Sequence, residues 1–413
     1  MMRSSNLILG IALIGVLAGN LAADPAAATA SIEKVRLLWL DDPARSAVIG
    51  WCQKSGEPTR VLYGKNGLTS EIKSIAKNRF DGFRHCFAYL NDLEPDTVYQ
   101  LRIADSKGES RLYQFRTAPD HPQPFTFIAG GDSRNHRDVR IATNQTVAKL
   151  RPLFVAFTGD MINHDNREEW DEWLDDWEQT TSADGHLIPL VPHRGNHERR
   201  PRVMPMIFST PPNAFYAFSI GGPNYFRYYA LNSEIPAGGD QKEWLQADLS
   251  RHVGLPWLVA GYHKPMRPHV SRKSEGDNPM QWAEAFYHYG LDLSLESDSH
   301  VMKRTLPLRP SNEGSEGFVA APGDKRATTY IGEGCWGAPL RAADDPKPWT
   351  LDCASFNGFD WIQVTPEEIV IKTVKVGNPA SMGSVRHVSD YENPSGLKLW
   401  QAKGGELLIL PVD

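Results

Sequence analysis

The sequence is poor in cysteine, has no excess of positive charge and, past its first two dozen residues, holds no long apolar run. Each shortage removes a class of function. Lys and Arg number 44 against 50 Asp and Glu, for a net charge of −6. Such a balance offers no basic stripe for nucleic acid, so none is expected as a macromolecular partner. No segment beyond the N-terminus approaches the roughly 20 apolar residues of a membrane span, which argues against a spanning helix in the mature protein. The four cysteines include no C-x-x-C pair, and a zinc ribbon is excluded with it. There is no internal repeat of the kind that builds a solenoid, and no low-complexity tract. What remains is an ordinary globular composition, 41% hydrophobic and 23% charged over 413 residues, long enough for two domains or one large one.

The N-terminus reads as an export signal over residues 1–30. Arg3 supplies the positive start, and residues 7–23 are apolar but interrupted by Gly10, Gly15, Gly19 and Asn20. Cleavage falls near Ala23 or Ala30, and an uncleaved anchor is the alternative. The expected location is secreted or periplasmic. Export permits disulfides. Cys52, Cys86, Cys335 and Cys353 allow three pairings. Cys52–Cys86 and Cys335–Cys353 are favoured, because each pair falls within one expected module, with four buried thiols as the alternative. Asn144-Gln145-Thr146 matches the glycosylation pattern.

Two compositional regimes follow. Residues 31–118 hold six short, partly alternating apolar runs separated by turns rich in Asp, Pro, Gly and Asn, which predicts an all-β sandwich. Residues 117–122, with two prolines, read as a linker. From residue 123 to 413 short apolar strands alternate with helical stretches, which predicts an α/β domain. Trp170, Trp173 and Trp177 recur at helical spacing and read as a core face rather than a ligand platform. Residues 201–222 and 303–325 read as long loops, and 308–324 as a mobile rim.

Five segments carry chemistry: Gly131-Asp132-Ser133-Arg134, Gly159-Asp160-Met161-Ile162-Asn163, Gly195-Asn196-His197-Glu198, Gly261-Tyr262-His263-Lys264-Pro265 and Ser297-Asp298-Ser299-His300. Each sits just past the C-terminal end of an expected strand, where α/β sheets assemble their sites. Together they offer the oxygen and nitrogen donors that a pair of hard or borderline cations requires.

In this order the segments resemble the calcineurin-like metallophosphoesterases, and the β module ahead of them resembles that of the purple acid phosphatases. The resemblance covers about residues 31–376. It implies a fibronectin type III-like sandwich followed by two packed mixed β-sheets flanked by helices. It also implies two metal ions and hydrolysis of phosphate mono- or diesters by direct attack of a metal-bound hydroxide. Carried over by position, Asp132 and His300 bind the first metal, Asp160 bridges, and Asn196 and His263 bind the second. His197 stands over the substrate as acid.

Two positions depart from the family pattern. Asn163 replaces the tyrosine responsible for the purple colour, so the protein should not be purple, and it leaves a neutral oxygen as candidate ligand. Asp298 replaces an imidazole and is taken as a ligand. The carboxylate-rich set favours Mn, Fe(II) or Mg somewhat over Zn. Arg134 sits where broader relatives carry a histidine ligand. Arginine stays protonated and suits phosphate oxygens, so it is assigned to the substrate. His269 remains a secondary acid/base candidate, while His136, His164 and His193 read as structural. The competing function is an exported binding or adhesion protein that uses the sandwich.

Overall fold

The computed structural model describes residues 31–57, 59–76, 82, 84–273 and 278–412. The expected signal segment, residues 1–30, lies outside them. Among the described residues no helix is long and apolar enough to cross a membrane.

Two large sheets pack face to face. In the first, strands Phe125–Gly130, Phe154–Phe157 and Pro189–Pro192 run parallel, and Gly358–Val364 adds antiparallel to Phe125–Gly130. In the second, Phe226–Ala230, Trp257–Gly261, Leu293–Glu296 and Thr329–Gly332 are parallel. The inner faces meet through Phe127, Phe154, Phe218, Tyr228, Val259 and Leu293. The outer faces are covered as well. Ile128, Val155 and Phe157 pack with Trp170 and Trp173 of helix Arg167–Trp177. Leu258 and Ala260 pack with Leu245 of helix Asp240–Arg251 and Phe286 of helix Ala283–Tyr289. Burial on both faces explains why Phe154–Phe157 and Trp257–Gly261 read as unbroken apolar runs rather than alternating ones. Helix Arg167–Trp177 starts where Asn166 accepts a hydrogen bond from the Glu169 amide, and its tryptophan stripe lies in the core as the spacing predicts.

The N-terminal region is a sandwich. Strands Ile32–Leu38, Ala47–Gln53 and His85–Leu90 form one sheet, and Arg60–Gly64, Val98–Asp105 and Tyr113–Arg116 the other. Ile49, Trp51, Leu101 and Phe115 fill the space between them. It is not a separately tethered module. Ile32–Leu38 pairs in parallel with Pro189–Pro192, so one eleven-stranded sheet runs through both regions. The fully buried Arg36 seals the junction by donating from Nη2 and Nε to the carbonyl of Ile207, at 2.6 and 3.0 Å. The first half of the expected linker is built into the fold: Thr117, Ala118 and Pro119 are buried and Ala118 N donates to the Pro43 carbonyl, while Asp120, His121 and Pro122 are exposed.

Four further expectations are corrected. All four cysteines are free. Trp51 faces Cys86 and His85 faces Cys52 across antiparallel strands, so the two thiols point to opposite faces, into different cores. Cys335 packs beside Ala354, whose neighbour Cys353 therefore points the other way along the strand. Asn144 is buried, with its amide bonded to the Asp176 carbonyl and to Trp336 Nε1, so the glycosylation pattern is inaccessible in the folded chain. The two long loops carry regular structure: helix Val203–Phe208 and strand Tyr216–Ile220 in one, strands Met302–Thr305, Leu308–Ser315 and Phe318–Ala320 in the other. The expected rim is a two-stranded antiparallel ribbon.

Candidate metal centre

The C-terminal ends of parallel strands from both sheets open on one cleft. Gly130 leads to Asp132, Phe157 to Asp160, Pro192 to Asn196, Gly261 to His263, and Glu296 to Asp298 and His300. Asp132, Asp160, Asp298 and His300 all take left-handed backbone conformations, with φ between 56° and 70°. Such geometry is uncommon for residues other than glycine and clusters at functional sites. It turns the chain sharply as it leaves each strand. Two glycines make room for the turns. A Cβ on Gly159 (φ 97°) would come 2.7 Å from Gly195 N, and one on Gly334 (φ 76°) 1.8 Å from Asp132 Oδ2.

Ligand atoms of Asp132, Asp160 and His263 all lie within 4.8 Å of one another. His263 Nε2 is 3.1 Å from Asn196 Oδ1, 3.3 Å from Asp160 Oδ1 and 3.5 Å from Asp298 Oδ1. Its other nitrogen, Nδ1, lies 2.9 Å from the Thr158 carbonyl. A carbonyl can only accept, so the proton belongs on Nδ1 and the Nε2 lone pair faces three oxygens. His300 repeats the device. Nδ1 donates to the Pro339 carbonyl at 2.7 Å, and Nε2 stands 3.1 Å from Asp132 Oδ1. Asp132 Oδ1 and Asp160 Oδ2 are buried and make no hydrogen bond among the described residues. Buried carboxylate oxygens that accept no hydrogen bond call for a cation. Burial works against a charged His263, yet Asp160 and Asp132 push its pKa well above the usual imidazole value. The field of the site is strongly negative. Asp160, Asn196, His263 and Asp298 thus fit a divalent ion.

The first position fits less well, because a protein cation is already there. Arg134 Nη1 donates to Asn163 Oδ1 at 2.9 Å, Nη2 lies 3.2 Å from His300 Nε2, and Nε is 3.4 Å from Asp160 Oδ2. Asn163 therefore meets the guanidinium through the oxygen it was expected to offer a metal. His197 donates from Nδ1 to the Asn163 carbonyl at 2.6 Å, and its Nε2 is 3.7 Å from Asp160 Oδ2, at the partly open edge of the cleft. His269 does not belong to the site. It is fully buried, with Nδ1 on Glu333 and Nε2 on Thr350 Oγ1. His193 is likewise structural, held between the Phe157 carbonyl and Tyr228, and burial pushes its pKa down to about 4.

Sequence reasoning missed three supports. Glu198 accepts from the amides of Asp160, Met161 and Gly195 and so clamps two of the motif turns together. Burial, then the neighbouring Asp160, push its carboxyl up to about 8. Lys273 Nζ pairs with Asp298 Oδ2, and Arg341 Nη1 donates to the Asp298 carbonyl at 2.7 Å. Glu198 stood inside a quoted segment without a role. Gly334 was legible as the second glycine of Gly332-Glu333-Gly334 after a strand, a pattern of close backbone approach. Lys273 and Arg341 lie in segments with no motif, and only the fold carries them to Asp298.

Residues 121–302 match the calcineurin-like phosphoesterase family. An uncharacterised protein of Mycobacterium tuberculosis is 25% identical over 340 residues, covering 66% of this chain and 62% of its own length. The chain thus spans less than two thirds of that relative. Human acid phosphatase type 7 is 23% identical over 296 residues, covering 63% of this chain and 66% of its own. Among solved structures, a purple acid phosphatase from yellow lupin seeds superposes with a TM-score of 0.67 at 16% identity, over 85% of this chain and 73% of its own. PhoD superposes with a TM-score of 0.63 at 12% identity, over 93% of each chain. These two structures share the fold of packed mixed sheets.

Proposed function

We propose that the protein hydrolyses phosphate esters of small molecules in a metal-dependent reaction at the Asp132, Asp160 and His263 cluster. The observation that carries this reading is the convergence of three oxygens on His263 Nε2, in a cluster whose buried Asp132 Oδ1 and Asp160 Oδ2 accept no hydrogen bond among the described residues. The acid phosphatase relative and the family match support the same chemistry. A divalent ion bound there would supply Lewis-acid stabilisation of the phosphoryl group and acidify a water. Asp160, Asn196, His263 and Asp298 would hold that ion. Their carboxylate share favours Mn, Fe(II) or Mg. His263 and His300 keep their lone pairs aimed inward because backbone carbonyls fix their tautomers.

His197 has its Nδ1 proton committed to the Asn163 carbonyl, so Nε2 is the nitrogen that delivers a proton to the departing ester oxygen. Arg134 turns its remaining N–H groups toward phosphate oxygens. Residues 1–30 act as an export signal, consistent with a secreted or periplasmic enzyme. Residues 31–118 form a fibronectin type III-like module, a reading supported by the strand order of the two facing sheets. Residues 123–413 form the phosphoesterase domain.

The test is turnover of p-nitrophenyl phosphate and bis-p-nitrophenyl phosphate with added Mn(II), its loss on chelation, and its recovery on metal return. Silence with every metal would refute the enzyme and favour a binding role for the sandwich.

A further inference from the structure

The two cation positions implied by the resemblance are unequal in this chain. Around His263 Nε2, Asn196, Asp160 and Asp298 present oxygens at 3.1–3.5 Å, while Lys273 engages the other oxygen of Asp298. At the first position, three of the four expected ligands face one guanidinium. Arg134 donates to Asn163 Oδ1, lies on the lone pair of His300 Nε2 and approaches Asp160 Oδ2. The fourth, Asp132, uses Oδ2 to accept from the Asp298 amide. Only 12% of the Arg134 side chain is exposed. A metal ion there would have to displace a largely buried, permanently charged group or share its ligands against like-charge repulsion. The residue types agree. The first position has an amide where the family has a phenolate, and the second has gained a carboxylate where the family has an imidazole. Anionic charge has moved to the position that lacks the arginine.

We propose that Arg134 is the built-in cation of the first position, and that the protein binds a single divalent ion per chain, at Asp160, Asn196, His263 and Asp298. The inference rests on the metal-dependent reading of this site. Asn163 and His300 then serve to anchor the guanidinium, which offers its remaining N–H groups to the phosphoryl oxygens.

The experiment counts ions. Full-length protein is equilibrated with Mn(II), freed of excess and assayed by elemental analysis and electron paramagnetic resonance. About one ion per chain with an uncoupled six-line signal is expected, and His263→Ala should abolish it. Arg134→Ala should admit a second ion, doubling the metal content and producing an exchange-coupled signal. Arg134→Lys keeps a cation in place and should remain at one, which guards against misreading a folding defect. Two ions in the wild type, none in the wild type, or one in both the wild type and Arg134→Ala would overturn the proposal. One ion per wild-type chain, lost in His263→Ala and gaining a partner in Arg134→Ala, but without phosphoester turnover, would leave this inference standing and defeat the enzymatic one.

Discussion

Two buried carboxylate clusters lie side by side at the end of the second sheet, and they are finished differently. In one, Glu296 and Glu333 share the ammonium of Lys303, which is 2.8 Å from Glu333 Oε1 and also pairs with Glu296 Oε2. Glu333 also accepts from His269 Nδ1, and Glu296 accepts from Tyr262 at 2.6 Å and from the Met266 amide at 2.9 Å. Acceptors there meet donors. In the other, two residues further along the chain from Glu296, Asp298 joins Asp132 and Asp160, and the two histidines present lone pairs instead of protons. The clusters even share a link, since the His300 amide donates to the Glu333 carbonyl at 2.7 Å. Both are buried, with two glutamates in one and three aspartates in the other. The difference is hydrogen-bond closure: a cluster whose acceptors all meet donors stabilises the fold, whereas Asp132 Oδ1 and Asp160 Oδ2 accept no hydrogen bond among the described residues and stay open to a cation.

The comparison can be broken from either side. The largest effect is expected from Asp160→Asn, which removes the carboxylate facing both His263 and Arg134. Metal content by elemental analysis should fall to background and p-nitrophenyl phosphate turnover should vanish. Full metal occupancy in this variant would end the claim that the open cluster needs Asp160. Next, His197→Ala should lower kcat by about 10²–10⁴-fold, the range for a general acid, while metal content holds. A nearly unchanged kcat would remove His197 from the chemistry. On the closed side, Lys303→Met should cost about 3–5 kcal/mol in chemical denaturation, because it strands two buried carboxylates. A variant as stable as the wild type would show that the closed cluster is not held by charge.

The smallest effect is a pH dependence. Burial alone would raise the Glu333 pKa, but Lys303 and His269 overcome it and hold the group at about 2, below its ordinary 4.5. A depressed carboxylate contributes stability that is fully present above pH 4.5 and is lost as the pH falls from there toward 2. Urea midpoints measured between pH 6 and 3 should therefore drop, and drop less in Lys303→Met. Equal slopes in the two proteins would contradict the assignment.

Much of the C-terminal half was legible because its signals are local. Each motif turn follows a short, mostly apolar strand, and the strands read so because both sheet faces are covered. The tryptophan stripe of helix Arg167–Trp177 was legible from its period alone. Relations between segments were not. The pairing of Ile32–Leu38 with Pro189–Pro192 joins residues some 150 positions apart, so two prolines and a change of composition suggested a linker between regions that one sheet in fact joins. The cysteine pairings failed for a similar reason. Sharing a module does not set the face to which a strand residue points, and a one-residue offset sends Cys52 and Cys86 apart.

By itself, then, the sequence determined which donor atoms the chain owns and that each follows a strand, since strand period, turn glycines and ligand chemistry are properties of short segments. Only the tertiary structure decided which donors share a cavity and which cation answers them. Lys273 on Asp298, Glu198 across two turns and Arg134 against Asn163, Asp160 and His300 are all contacts created by sheet packing. Electrostatic partnership falls off with distance in space, and the fold alone sets that distance.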